Sequence, residues 1–163
     1  MSNWFECKVS YHKHDEASGK VKKVSEPFLL DAVSFTDAEA RIIREIEQYV
    51  KEEFVVTNIS KAKYSDVFDY QDSDKWFKCK MTYTDVDQKS GKEKKYNNMM
   101  LVSASNAKEA YERIEESLST MIVPFEIPSV VLTAIVDVIP YQTEESESPL
   151  KDNLAALGEI FNS

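Results

Sequence analysis

The sequence predicts an α+β protein in which a duplicated β-β-α-β unit forms one compact pseudo-symmetric body, followed by a flexible acidic C-terminal tail. The main observation is a repeat: Trp4 to Val24 aligns with Trp76 to Tyr96 without a gap, with 11 identities in 21 positions. Strand-like alternation opens each copy, and a helix-start signal follows. We therefore expect a first repeat over residues 1–70, a second over residues 76–141 and a tail over residues 142–163.

The first two strands of each copy should form a hairpin. Alternation of apolar and polar residues over Trp4 to Tyr11, and again over Trp76 to Tyr83, is typical of a strand buried on one face. Ser-Gly-Lys follows in both copies, and its glycine suits a turn that needs a positive φ. The second strand should then contain Pro27, which suggests a sheet edge or a bulge because proline cannot donate to a ladder.

A helix should follow each hairpin. In the first copy Thr36 is predicted as the N-cap and Glu39 completes a capping box, with a buried stripe at Ala40, Ile43, Ile46 and Val50 or their neighbours. In the second copy Asn106 and Glu109 take the capping places, and the stripe consists of Ala110, Ile114, Leu118 and Met121.

The last element of each copy should be a strand. Val130 to Ile139 is apolar on both faces, which favours a strand buried on two sides in the middle of the molecule. The matching stretch of the first copy, Ile59 to Phe68, contains lysines and serine and is expected to be more exposed.

The tail combines an acidic, serine-rich linker with an amphipathic segment. Apolar residues recur there at helical spacing, namely Leu150, Leu154, Leu157 and Phe161. They predict either a motif that lies in the groove of a partner protein or a helix that docks on its own chain.

Composition indicates an ordinary globular chain with segregated charge. No apolar run spans a bilayer and no secretory leader is present, so the expected compartment is the cytoplasm, without membrane association. Cys7 and Cys79 lie in apolar alternation and should be buried thiols. The net charge is -9, yet the two segments Lys8 to Lys23 and Lys78 to Lys95 contain 11 of the 20 basic residues and only 5 of the 29 acidic ones.

Those basic segments are the candidate binding site. Lysines with aromatic residues are typical of surfaces that bind single-stranded nucleic acid, where stacking is worth roughly 1 to 3 kcal/mol per base. The candidate residues are Trp4, Lys8, Lys20, Lys22, Lys23, Trp76, Lys78, Lys80, Lys92, Lys94 and Lys95. Glu6 aligns with Lys78, so the second copy should bind more strongly. The alternative is that the lysines protect strand edges and the tryptophans cover a core.

No pattern points to catalysis, a metal or a cofactor. His12 and His14 lack a third ligand, and the chain has no phosphate-binding loop, GxSxG or CxxC motif. We therefore expect a non-enzymatic binding protein. The alternative function is a protein-protein adaptor that acts through the tail and exposed strand edges.

Several longer motifs resemble a known family. WFECK, the block from KKV to AEA at residues 22–40, and VTNISKAK in the first copy, with WFKCK, SGKEKK and FEIP in the second, are similar to domain of unknown function 4494. That family is carried by gut Bacteroidetes, their mobile elements and their phages. The resemblance covers about Trp4 to Tyr141. It implies a bacterial or phage cytoplasm and an accessory role tied to mobile DNA, and it brings no catalytic residue or cofactor.

Overall fold

The computed structural model describes residues 3–141, which form a mixed α+β fold of eight strands and two helices. The first half contains β1 Trp4–His14, β2 Val21–Asp31, α1 Phe35–Tyr49, β3 Phe54–Ala62 and β4 Asp66–Phe68. The second half contains β5 Trp76–Val86, β6 Glu93–Ser103, α2 Ala107–Ser117, β7 Phe125–Leu132 and β8 Asp137–Ile139. The elements therefore follow in the same order in both halves.

The last strand of each half pairs in the sheet of the other half, and we call β4 and β8 the exchanged strands. One sheet has the order β3-β1-β2-β8 and the other has the order β4-β6-β5-β7. The short strand β4 runs parallel to β6, and β8 runs parallel to β2, whereas the remaining pairs are antiparallel. Both four-stranded sheets therefore contain strands from both halves of the chain.

The prediction of one long buried strand over Val130 to Ile139 is wrong. Strand β7 ends at Leu132 on the edge of its sheet, with Val131 and Leu132 51% and 56% exposed. The chain then leaves that sheet and enters the other one as β8, where Val138 and Ile139 are buried. The apolar run Val130 to Ile139 therefore has three parts. They are the end of the edge strand β7, a segment that crosses between the sheets, and strand β8 in the other sheet. The matching stretch of the first half is likewise divided between β3 and β4.

The sheets and helices form four layers, with the sheets in the middle. Helix α1 covers the outer face of the first sheet and α2 covers that of the second, each over its own apolar cluster. The inner faces share a third cluster, made of Leu29, Trp76, Leu101, Ile135 and Val138, against which Trp4, Ala62, Tyr64 and Val67 pack. The two halves thus contribute to a common core between the sheets.

The predicted helix start is confirmed in the second half only. Asn106 caps α2 as predicted, accepting a hydrogen bond from the Glu109 N–H at 2.8 Å. The N-cap of α1 is Ser34 rather than Thr36, and its hydroxyl accepts from the Asp37 N–H at 3.1 Å. The face of α1 that packs on the sheet carries Ala38, Ile42 and Ile46, so Ile46 and Val50 of the predicted stripe are buried while Ile43 is exposed.

Two smaller predictions concern Pro27 and the cysteines. No bulge occurs at Pro27, because the ladder of β2 with β1 is continuous there, but β8 pairs only with Phe28 to Leu30 and leaves the other side of β2 open before them. The Pro27 carbonyl faces β8 and accepts from the Val136 N–H, so the missing N–H lies just before β8 pairing begins.

Cys7 and Cys79 are confirmed as buried free thiols, and burial raises their pKa values to about 12 and about 11.

Candidate functional site

The two hairpin turns are built by the same hydrogen bonds. Gly19 and Gly91 both have a φ of +70°, and each N–H donates at 2.7 Å to the carbonyl of an aspartate four residues earlier. The carboxylate of that aspartate accepts from a serine hydroxyl, from Ser18 to Asp15 at 2.9 Å and from Ser90 to Asp87 at 3.1 Å. The hydrogen bonds that these carboxylates accept stabilise the charged forms of Asp15 and Asp87. The pKa of Asp15 is lowered chiefly by the Ser18 hydroxyl, and that of Asp87 chiefly by the Lys89 N–H.

Six of the predicted lysines project from these turns into solvent. We call them the lysine hairpins: the first contains Lys20, Lys22 and Lys23, and the second contains Lys92, Lys94 and Lys95. All six side chains are exposed. The two triplets belong to different sheets, because the first hairpin joins β1 to β2 and the second joins β5 to β6.

The second lysine hairpin also has an aromatic group that the sequence reasoning missed. Tyr83 and Tyr96 are paired across β5 and β6, and their rings stack with centroids 5.1 Å apart. The Lys94 ammonium lies 5.4 Å from the centroid of the Tyr96 ring. In the first hairpin Val24 occupies the position of Tyr96, opposite Tyr11. The replacement of Val24 by Tyr96 at this position is the feature of the sequence from which an aromatic pair could have been predicted.

Trp76 does not lie where a stacking platform requires it, and Trp4 is only partly exposed. Trp76 is 3% exposed and belongs to the core between the sheets, and Trp4 packs against the same core. Trp76 therefore has no ring face available to a base, and its prediction as a stacking platform is wrong. Alternation correctly placed both rings opposite the helix-covered face, but that second face is covered by the other sheet rather than by solvent.

Two of the three predicted strand lysines occupy more enclosed positions than the hairpin lysines. Lys8 is exposed, while Lys78 and Lys80 are partly buried. Lys78 lines a cavity of about 240 Å³ together with Glu6. The two positions of this charge reversal thus face one small cavity, which Lys61 and Lys63 also line.

A larger cavity lies between the first half and the segment that links the halves. Its volume is about 780 Å³, and its walls come from α1, β1, β2, residues 69–76 and the start of β8. Among residues 3–141, five carboxylates line it, and Lys13 supplies the one ammonium. The sequence did not reveal this cavity because its walls come from segments far apart along the chain.

The described residues form neither a metal-binding cluster nor a membrane-spanning helix. Within residues 3–141, no group of three or more histidine, cysteine or acidic side chains is placed to hold a metal ion, and His12 and His14 both stand exposed on β1. In the same part of the chain, neither helix has the length and apolar character to cross a bilayer.

Comparison with known proteins gives one match. A family model described as Domain of unknown function (DUF4494) matches residues 3–141, which are the residues that form the two halves described above. No curated protein and no solved structure matches the chain.

Proposed function

The chain belongs to the family domain of unknown function 4494, and from that premise we propose that it is a non-enzymatic protein that binds single-stranded nucleic acid. The contacts are made by the lysine hairpins and the aromatic pair Tyr83 and Tyr96. The resemblance of its motifs to proteins of Bacteroidetes and their phages supports a bacterial or phage cytoplasm as the setting.

The observation that carries this proposal is the exposure of six lysines on two turns with the same hydrogen bonds. Ammonium groups in solvent reach phosphate oxygens without breaking contacts in the fold, and each phosphate contact releases counterions. The net charge of -9 requires the attraction to be local to the hairpins. Binding is therefore expected to be weak, independent of sequence and sensitive to salt.

The second lysine hairpin should make the stronger contribution. A base that stacks on Tyr96 would displace the flexible Lys94 side chain from the ring and free its ammonium for a phosphate. The first hairpin lacks this ring because Val24 stands at the matching position.

We also propose that the two halves arose by duplication of a β-β-α-β unit. In support, β1, β2, β5 and β6 each contain 11 residues, and both hairpins use the same register. The parallel pairing of β4 and of β8 in the opposite sheet repeats in both halves as well. A duplicated unit would present its binding hairpin twice.

A salt series of mobility shifts with labelled single-stranded oligonucleotides tests the function. Changing Lys92, Lys94 and Lys95 to Glu should abolish binding at low salt, and the same changes at Lys20, Lys22 and Lys23 should weaken it less. Replacing the first triplet with Ala should lower the slope of log K against log salt by about 2, at about 0.7 per lost phosphate contact.

The matched control changes three exposed lysines outside the hairpins, Lys51, Lys61 and Lys108, to Glu. It alters the net charge as much as either hairpin variant but should retain most of the binding. Absence of binding at low salt, or equal loss in control and hairpin variants, contradicts the proposal.

The exposed edges of the sheets favour a second candidate, a protein-protein adaptor. Strands β3 and β7 are edge strands, and Val55, Val131 and Leu132 are each more than half exposed on them. An extended peptide can add to such an edge by backbone hydrogen bonds. The predicted tail motif, Leu150, Leu154, Leu157 and Phe161, lies outside the described residues.

Affinity capture tests the adaptor. Val55→Lys with Val131→Lys should remove partners that use the edges, and deletion of residues 150–163 should remove partners that use the tail. Identical partner lists for all three proteins count against this candidate.

A further inference from the structure

The cavity of about 780 Å³ has the size and walls of a small-molecule site. Its volume falls within the roughly 300–1,000 Å³ typical of such sites. The buried residues Phe28, Ile46, Val50 and Trp76 each expose only a small part of their side chains to it and form its apolar floor, and Tyr11 and Tyr49 also line it. An organic molecule with an apolar body would find both shape and contact area there.

The rim of the same cavity selects for positive charge. Glu26, Asp69, Asp72, Asp74 and Asp137 line it, and Lys13 is the one cation among its described lining residues. Asp72 is neutralised by Arg113, whereas none of the other four carboxylates is in an ion pair within residues 3–141. Tyr11 donates its hydroxyl to Glu26, which leaves the second carboxylate oxygen of Glu26 available.

Asp137 is the carboxylate that most needs a partner. It is partly buried, and burial raises its pKa, with a further contribution from the nearby charge of Asp69. Its Oδ1 accepts only from the N–H of its own neighbour Val138, at 2.9 Å. A bound cation would remove the repulsion between these two aspartates.

We propose that this cavity binds a small organic cation, an amine or guanidine with an apolar or aromatic body. The apolar body lies on the floor between the tyrosine rings, and the cationic group lies between Asp69 and Asp137. Aromatic faces add to the attraction of the carboxylates because a ring quadrupole also favours a cation.

The charges and geometry exclude other classes of occupant. No metal-binding group of three ligands occurs within residues 3–141, so the carboxylates are too dispersed to enclose a metal ion. Phosphates and other anions are repelled by the rim. The acidic residues 142–163 of this chain are disfavoured for the same reason. This site is independent of the lysine hairpins and of their proposed ligand.

Calorimetry with the full chain and three isosteric probes tests the proposal. Phenethylamine should bind with a dissociation constant of about 1 mM or tighter, while neutral 2-phenylethanol and anionic phenylacetate should bind at least about tenfold more weakly. The preference for the amine should decline as salt rises, because screening weakens the charge attraction. Equal affinity for the amine and the alcohol, or no amine binding at about 10 mM, would overturn the proposal.

Substitutions of the cavity carboxylates test whether phenethylamine binds at this site. Asp137→Asn and Asp69→Asn should each weaken phenethylamine about tenfold. Asp66→Asn is the matched control, because Asp66 begins β4 as Asp137 begins β8 and lies outside the cavity lining. Circular dichroism establishes whether each variant is folded. If Asp137→Asn does not fold, Asp69→Asn still tests the site, because Asp69 is exposed. Equal loss in the Asp66 control would overturn the proposal, as would binding of a lysine-rich peptide without binding of the amine.

Discussion

Gly19 and Gly91 occupy the left-handed region of backbone conformation in the two hairpin turns, with φ of +70°. A Cβ atom added at either position would meet nothing within 4 Å apart from its own residue and the two neighbours along the chain. The requirement for glycine is therefore conformational rather than steric. The same turns carry the lysine hairpins, so the glycines influence the site only through the shape of the backbone.

We expect Gly91→Ala to lower the free energy of unfolding by about 1 kcal/mol, because an L-residue at this φ loses that much backbone energy. Urea denaturation followed by circular dichroism measures the change. Lys89→Ala, in the same turn, is the control and should leave stability unchanged. Equal stability of the glycine variant and the parent would contradict the assigned turn.

The thiols of Cys7 and Cys79 should be unreactive in the folded protein. Their pKa values of about 12 and about 11 keep them protonated at pH 8, and only the thiolate is nucleophilic. We expect labelling by a disulfide reagent to be slow until urea is added. Because the pKa of Cys7 is higher in the folded protein, folding favours its neutral thiol. The contribution of this thiol to the free energy of unfolding should be fully present below pH 9.0 and should be lost as the pH rises toward 12. Rapid labelling of the native protein would show that these thiols are accessible.

At the scale of elements, an arginine on each helix holds the segment that follows an exchanged strand. Arg113 on α2 donates to Asp72 at 2.9 Å and to the Ser103 carbonyl at 2.7 Å, and its guanidinium lies 4.2 Å from the centroid of the Tyr70 ring. Arg41 on α1 donates to the Pro140 carbonyl at 2.9 Å and lies 4.9 Å from the Tyr141 ring centroid. Each helix thereby fixes the end of a strand from the other half.

Arg113→Ala should destabilise the protein by at least about 1 kcal/mol, and more than Arg41→Ala, because Arg113 has more hydrogen-bonding partners. Thermal or urea unfolding of both variants checks this order. The hydrogen bond from Arg113 lowers the pKa of Asp72, so its contribution is present above pH 3.8 and is lost as pH falls below it. The difference between parent and Arg113→Ala should therefore shrink in acid. A difference that is independent of pH would argue against the Arg113–Asp72 pair.

At the scale of the whole molecule, neither half completes its own sheet. The first sheet needs β8 and the second needs β4, while both share the core around Trp76 and Leu101. The two halves should therefore unfold together rather than as separate domains.

A fragment of residues 1–75 should not form a stable monomer, because its β4 lacks β6 and its β2 lacks β8. Mixing it with a fragment of residues 76–163 should restore native circular dichroism and a one-to-one complex in size-exclusion chromatography. A cooperatively folded monomer of either fragment would show that the exchange is dispensable.

Features that depend on local contacts were predictable from the sequence. The hairpins, their glycines, the Asn106 cap and the buried cysteines each follow from residues close together along the chain. Strand exchange was not predictable, since an apolar run such as Val130 to Ile139 does not reveal that it serves two sheets in turn. Trp76 was misjudged for a related reason, because alternation assigns a side chain to a face without showing what covers that face.

The late position of β8 has a consequence for biosynthesis. Strand β2 obtains its second neighbour only when residues 137–139 have been made, long after β1, β2 and β3 are available. The 77 residues from Lys63 to Ile139 require about 4 to 15 seconds at a ribosomal rate of 5–20 residues per second. During that interval residues 28–30 of β2 lack their second neighbour, so we expect this part of the first sheet to keep an open edge until residues 137–139 have been made.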